Sequence, residues 1–223
     1  MTLKISVMED INKYLRDLRK DFSGEQLDEA QVAKEPFLQF DYWFREAIKS
    51  AVNEPNAMTL STIGENGRPS SRVVLLREYN QLGFAFFTNY ESKKSQELLR
   101  NPFACLNFFW PELERQVRIE GKVSVHTKEA SDNYFNSRPR SSRIGAWSSP
   151  QSSELANRTQ LENLVTDFDK KYPTEDVPRP EFWGGFLLKP DYFEFWQGRP
   201  SRLHDRIYYR EDNQNWKIGR LAP

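Results

Sequence analysis

The stretch "AMTLSTIGENGRPSSRVVLLRE", residues 57–78, decides how the rest of the chain is read. Upstream of it, apolar residues recur at helical intervals. Here the period shortens to two, and Asn66 and Gly67 interrupt it midway. Asn-Gly between two alternating runs is a strong hairpin signal, because both residues tolerate the positive φ a tight turn requires. The spacing therefore predicts antiparallel strands at "AMTLSTIG" and "SRVVLLRE", joined by the turn "ENGRP". The unbroken "VVLL" reads as a strand buried on both faces, with Arg72 and Arg77 emerging near its ends. "GFAFFTN" follows as a third strand.

Working outward, residues 6–22 read as an amphipathic helix through Ile11, Leu15, Leu18 and Phe22. Pro36 opens a second, to about Asn53, carrying Phe40, Phe44, Ala47, Ile48 and Ala51. "SKKSQELLRN" reads as a short helix capped by Ser92. "FACLNFFW" and "RQVRIEGKVSVH" form two long strands around "PELE", and helices are expected at 127–137 and 153–172 with a loop between. "WGGFLLKP", "YFEFWQG", "DRIYYRE" and "NWKIGRL" close the chain as short strands. Eight or nine strands meeting at short turns, against four or five helices, predict a β-dominated α+β fold. Its sheet is mostly antiparallel, a barrel with helices around it. No repeat or linker divides the chain.

The totals narrow the function. Lys plus Arg and Asp plus Glu balance at 32 each, so net charge points to neither nucleic acid nor a membrane surface. Any anion site is local. Cys105 is the single cysteine, and the two histidines stand at 126 and 204, which argues against a disulfide or a metal site. No apolar run approaches the roughly 18 residues of a membrane span. The N-terminal stretch lacks the apolar core of a signal peptide, and its acids argue against a transit peptide. A soluble protein of a reducing, cytoplasmic compartment is expected. Six Trp and sixteen Phe suit a flat ligand as well as a core.

Three basic clusters accompany these strands. Arg72 and Arg77 flank the apolar run; Lys93 and Lys94 start a helix, where backbone N–H groups favour an anion. "NSRPRSSR" adds Arg138, Arg140 and Arg143 with two serines. Each alone has a plain reading: a solvated helix face, a polar loop, strand-end ion pairs. Together they suggest more than one phosphate group. In "RPSRLHDRIYYR", an extended backbone would place Arg202, His204 and Arg206 on one face. The sequence has no GxSxG elbow, P-loop, HExxH or GxGxxG, so organic-cofactor chemistry is the expectation.

"FEFWQGRPSRLHDR", residues 193–206, resembles the signature of the pyridoxine (pyridoxamine) 5′-phosphate oxidase family: Glu-aromatic-Trp-Gln, a four-residue gap, then Arg-Leu-His-Asp-Arg. "RVVLLR", "FFTN", "ERQVRIEG", "YFNSRPRSSRIGAW", "QSS", "FWGGF" and "WKIGRLAP" are similar to the family in the same order. The resemblance implies an FMN-binding split β-barrel over residues 36–223, preceded by an N-terminal helix and lid segment at 1–35. It implies a homodimer with FMN at the subunit interface. The implied reaction turns pyridoxamine or pyridoxine 5′-phosphate into pyridoxal 5′-phosphate with O2, releasing H2O2.

By motif position, implied FMN contacts are Arg72, Val73, Val74, Leu75, Leu76 and Arg77, then Phe87, Thr88, Lys93 and Lys94. Gln116, Gln151, Ser152, Trp196 and Arg206 complete that set. Implied substrate contacts are Arg19, Arg77, Tyr134, Arg138 and Ser142, with Arg202, Leu203 and His204. Lys93, Lys94 and Arg72 would hold the FMN phosphate, and Arg77, Tyr134, Arg138 and Ser142 the substrate phosphate. Arg202 would clamp the pyridine ring, with His204 beside it, as the two catalytic residues; no metal is implied. The chain departs from the family in three places: Arg77 stands for a usual Lys, Lys93 for a frequent Arg, and Phe22 for a common lid Tyr. Arg77 and Phe22 keep a second reading open, a flavin- or pyridoxal-phosphate-binding carrier or sensor without turnover.

Overall fold

The computed structural model describes residues 11–18 and 21–223. Nine strands form one sheet: β1 (Ala57–Ile63), β2 (Pro69–Leu75), β3 (Glu78–Asn80), β4 (Gly83–Asn89), β5 (Phe103–Trp110), β6 (Arg115–Val125), β7 (Trp183–Gln197), β8 (Asp205–Asp212) and β9 (Asn215–Arg220). The helices are α1 (Pro36–Lys49), α2 (Lys93–Arg100), α3 (Lys128–Ser137), α4 (Arg140–Ser148) and α5 (Arg158–Lys171). Residues 11–17 are helical as well. Among the described residues no helix is long and apolar enough to cross a membrane.

The strands run in the order β2-β1-β5-β6-β7-β4-β3, every pairing antiparallel, with β8 on β7 and β9 on β8. The two ends of that path, β2 and β3, are separated in sequence only by Leu76 and Arg77. Consecutive Cα atoms lie about 3.8 Å apart, so the ends have to meet and the sheet rolls on itself. Leu76 N–H donates to the Asn56 carbonyl at 2.8 Å and Arg77 N–H to that of Ala85 at 2.9 Å, fixing the seam. The hairpin at 57–78 forms as its alternation and Asn-Gly turn led one to expect, and its second strand closes an incomplete barrel.

Alternation along the strands puts Leu106, Phe108, Val117, Ile119, Phe193 and Phe195 inside. Helix α1 closes the core with Phe40, whose ring centroid lies 5.0–5.2 Å from those of Phe84, Tyr79 and Phe108. Its exposed face departs from expectation. The helix stops at Lys49 before Ala51 at φ 52°, and Ile48 stays 56 % exposed. "VVLL" is not buried on both faces. Val73 is 67 % exposed, because β2 ends the path and none of the described residues covers its outer side. Phe22 lies outside the helical stretch.

"WGGFLLKP" and "YFEFWQG" are one fifteen-residue strand, β7, with Pro190 inside it. The register slips opposite Pro190, between Glu120 and Gly121. A Cβ at Gly121 would stand 2.1 Å from the Lys189 carbonyl oxygen, so only glycine allows this close approach. The loop expected between 137 and 153 holds α4, which begins after Pro139 and buries Ile144 and Ser148 one turn apart.

Candidate functional site

An open cleft of about 1150 Å³ is lined by β2, the end of β4, the start of α2, the end of α3 and α4. Its walls include Arg72, Val73, Val74, Leu75 and Arg77, and opposite them Phe87, Thr88, Lys93 and Lys94. Tyr134, Arg138, Ser142, Gln151 and Ser152 also line it. Stretches from 70–77, 87–94 and 134–152 therefore converge on one cleft. Leu76 does not line the cleft; its side chain is buried in the core. Arg19 lies outside the described residues.

Helical register separates the two lysines. Lys93 is 68 % exposed and 4.0 Å from Glu97, whereas Lys94 turns inward and is buried. Lys94 Nζ donates to Thr88 Oγ1 at 3.0 Å, Ser92 Oγ at 3.1 Å and Gln151 Oε1 at 2.9 Å, all neutral oxygens. Burial, with Arg72 nearby, pulls its ammonium down to about 8. Ser92 stands at the cap position of α2 but makes no side-chain cap bond; its hydroxyl donates to the Asn89 carbonyl at 2.7 Å. Arg72 is held by Thr62, Ser70 and the buried Glu97, whose carboxylate also accepts from Thr62 at 2.5 Å and Ser70 at 2.6 Å.

At the other end of the cleft Phe87 and Tyr134 stack at 4.1 Å, with Arg77 over the Tyr134 ring at 5.5 Å. The Arg138 guanidinium lies 4.7 Å over Trp183, and its Nη1 is buried without a hydrogen-bond partner among the described residues. Burial, reinforced by Arg77, lowers its affinity for the proton. Arg140 and Arg143 serve elsewhere. Arg140 binds Asp169 and carbonyls at the end of α5, and Arg143 pairs with Glu175 at 3.1 Å. Of that basic loop, Arg138 and Ser142 face the cleft.

The remaining expected residues form a second group on the sheet. Gln116, Trp196 and Arg206 are register neighbours across β6, β7 and β8. Glu194, 3 % exposed, accepts from Arg118 at 2.7 Å and Arg206 at 2.8 Å. Burial opposes its charge, yet the two guanidinium groups hold its carboxyl below the usual range. His204 packs 4.7 Å from Trp196, and its Nδ1 accepts from the Arg199 N–H at 3.1 Å, leaving the ring proton on Nε2. Burial and the neighbouring Arg202 charge lower its pKa.

Residues 199–204 are not extended, so Arg202, His204 and Arg206 do not share a strand face. Pro200–Arg202 is a short 3₁₀ turn, with Ser201 at φ 58° and Arg202 at φ 61°. Two successive left-handed non-glycine residues store strain, a pattern that clusters at functional sites. Nor does one chain bring Arg138 and Arg202 together. Arg138 packs on Trp183 at the start of β7 and His204 on Trp196 near its end, 13 positions later. At about 3.3 Å per residue that separation is roughly 43 Å along an unbent strand.

The sequence reading missed four residues that shape these groups. Trp183 lines the cleft, Glu97 and Glu194 fix the arginines, and Glu114 lies beneath Phe22 and Gly198. Glu194, Glu114 and Trp183 stand in the family stretches quoted above, but a buried carboxylate carries no mark of its role beyond its alternation with apolar neighbours.

A family model described as pyridoxamine 5′-phosphate oxidase matches residues 44–170, and one described as the pyridoxine 5′-phosphate oxidase C-terminal dimerisation region matches 183–223. A pyridoxine/pyridoxamine 5′-phosphate oxidase of Actinobacillus succinogenes is 54 % identical over 94 % of this chain and 99 % of its own. One of Nostoc punctiforme is 51 % identical over 96 % and 100 %. The crystal structure of PhzG from Burkholderia lata 383 with tetrahydrophenazine-1-carboxylic acid superposes with a TM-score of 0.84 at 29 % identity, covering 90 % of this chain and 100 % of that one. A pyridoxamine 5′-phosphate oxidase-related, FMN-binding protein of Nostoc punctiforme superposes at 0.68 and 18 % identity over 85 % and 98 %, a likeness of fold. The barrel is thus the split barrel expected, and the chain belongs to the pyridoxine/pyridoxamine 5′-phosphate oxidase family.

Proposed function

We propose that the chain is an FMN-dependent oxidase that converts pyridoxamine or pyridoxine 5′-phosphate to pyridoxal 5′-phosphate in the cytoplasm. For the amine the balance is one O2 and one water consumed, with one H2O2 and one NH3 released. One observation carries the reading: the buried Lys94 and the half-buried Arg138, whose Nη1 is itself buried, line the same cleft with no anionic partner among the described residues. A buried charge without a counter-charge is costly, and a phosphate at each would relieve it.

Lys94 and Arg72 would take the FMN phosphate, with Thr88, Gln151 and Ser152 beside them. Arg138, Tyr134, Ser142 and Arg77 would take the phosphate of the substrate. Bound FMN would supply the two-electron acceptor, taking a hydride equivalent from the substrate and passing electrons to O2. The chain's own contribution is positioning, which can supply several kcal/mol and about 7–11 in ideal cases.

Gln116, Trp196, Arg202, Leu203, His204 and Arg206 would reach the ligands of a second copy. Their separation along β7 and the match of 183–223 to a dimerisation region both support a homodimer with FMN between subunits. Residues 11–18 and 21–35 would be the described parts of the N-terminal helix and lid segment, and 36–223 the FMN-binding domain.

The test is direct. FMN-loaded protein should bleach anaerobically on addition of pyridoxamine 5′-phosphate, then form pyridoxal 5′-phosphate and H2O2 in air. Flavin-loaded protein that makes no pyridoxal 5′-phosphate would overturn the oxidase reading in favour of a carrier.

A further inference from the structure

Residues 21–27 lie as a strap along the loop that carries Arg202 and His204. Glu114 Oε2 accepts from the Ser23 N–H at 2.8 Å and the Gly24 N–H at 3.0 Å. Asp205 Oδ2 accepts from the Leu27 N–H at 3.1 Å, and Arg199 donates to the Gly24 carbonyl. At the other end the Ser201 N–H donates to Asp21 Oδ1 at 3.1 Å. Phe22 stands between these ties, its ring edge-on to Trp196 at 5.6 Å and to His204 at 5.2 Å. A Cβ at Gly198 would come within 2.6 Å of Phe22 Cδ1, so the ring is seated closely.

Glu114 is built for this contact. It is 8 % exposed and sits at φ 54° in the β5–β6 turn, and its carbonyl accepts from the Gly198 N–H at 2.8 Å and Gln197 Nε2 at 3.2 Å. The same residue therefore ties the strap by its carboxylate and the end of β7 by its backbone. Bonds from backbone N–H to a carboxylate are charge-assisted and strong.

We propose that Glu114 is a positioning residue: by holding the Ser23 and Gly24 amides it seats Phe22 against His204 and Trp196, and so fixes the His204 ring. The inference rests on the reading of His204 as a substrate-facing group. Phe22 has no hydroxyl to offer a ligand, so its contribution here is packing. Losing the latch should slow the chemical step more than it weakens substrate binding, because Arg138 and Tyr134 are untouched.

The experiment compares FMN-loaded full-length protein with Glu114→Ala, Glu114→Gln, Phe22→Ala and the Glu114→Ala/Phe22→Ala pair. Three quantities are read: kcat and KM for pyridoxamine 5′-phosphate, amide hydrogen exchange over residues 21–27, and the His204 imidazole C–H resonance. Glu114→Ala should lower kcat about tenfold, with KM changed less. It should also speed exchange in the strap and shift the His204 signal. Glu114→Gln, which keeps one acceptor oxygen, should recover most of each. The double variant should be no slower than the slower single variant, since both act through one contact. Unaltered exchange and an unmoved His204 signal in Glu114→Ala would overturn the proposal, as would additive losses in kcat. If the wild-type chain makes no pyridoxal 5′-phosphate, the oxidase reading falls, and exchange and resonance still decide whether Glu114 seats Phe22 on His204.

Discussion

Lys94 keeps its ammonium among three neutral oxygens, and this governs how the cleft responds to pH. In the ligand-free protein burial brings it down to about 8, below the ordinary lysine value of 10.5. Above about pH 8 the folded protein therefore holds Lys94 neutral while the unfolded chain still binds the proton. Stability of the ligand-free protein should gain from this group as pH rises from about 8 to 10.5. Phosphate binding runs the other way, since it requires the charged form. FMN affinity should fall as pH rises through about 8, by up to about tenfold per pH unit, and Lys94→Met should bind weakly with a flatter profile. Flavin fluorescence titrations between pH 7 and 9.5 measure both. Arg138→Ala should chiefly raise KM for pyridoxamine 5′-phosphate, because a charge-assisted bond of about 1.5–3 kcal/mol is lost. An unchanged KM in steady-state assays would remove Arg138 from the phosphate site. The sequence singled out both residues but could not tell Lys94 from Lys93, because a one-residue helical step decides which lysine is buried.

Among the elements, α3 shows how a local signal supports a distant contact. Thr127 caps it by accepting the Ala130 N–H at 3.1 Å, and Ser131 Oγ ties it to β7 by accepting the Gly185 N–H at 3.1 Å. Tyr134 and Arg138 stand at the far end. Thr127→Ala should cost about 1 kcal/mol of stability and lower Tm by about 2–4 °C. KM should hardly move, because buried Phe135 and the Ser131 contact still anchor the end that faces the cleft. Calorimetry and steady-state kinetics on one preparation separate the two effects. Strand and helix periods were legible wherever one face is buried, as in α1 and β5. They failed at α4, whose nine residues bury only Ile144 and Ser148, and at β7, where Pro190 reads as a terminator. There a bulge opposite Gly121 lets the strand continue, and only the partner strand reveals it. The extended backbone weighed for 199–204 is not what forms. Ser201 and Arg202 are left-handed there, and the loop is tied by Asp21 to the Ser201 N–H and by His204 to the Arg199 N–H, contacts that no local propensity encodes.

At the scale of the molecule, the cations that the sequence gathers into one constellation occupy two places on the barrel. Composition and motif order identify the members but not the chain that supplies each. Tyr134 and Arg138 belong to the cleft at the start of β7, Arg202 and His204 to the loop after its end. If each site takes the cleft from one subunit and the loop from another, two defective chains can rescue each other. On the proposed roles, Arg138→Ala would lack the phosphate grip and Arg202→Met the ring clamp, so each alone should be strongly impaired at low substrate concentration. Random mixing puts half of all dimers in the mixed form. Within a mixed dimer one site carries both substitutions and the other carries neither. Co-expressed or co-refolded, the two variants should recover about a quarter of wild-type activity. A site built within one chain gives no intact site in any dimer, and the mixture would stay at the level of its parents. Activity against mixing ratio, peaking at equal amounts, is the measurement that distinguishes the two architectures.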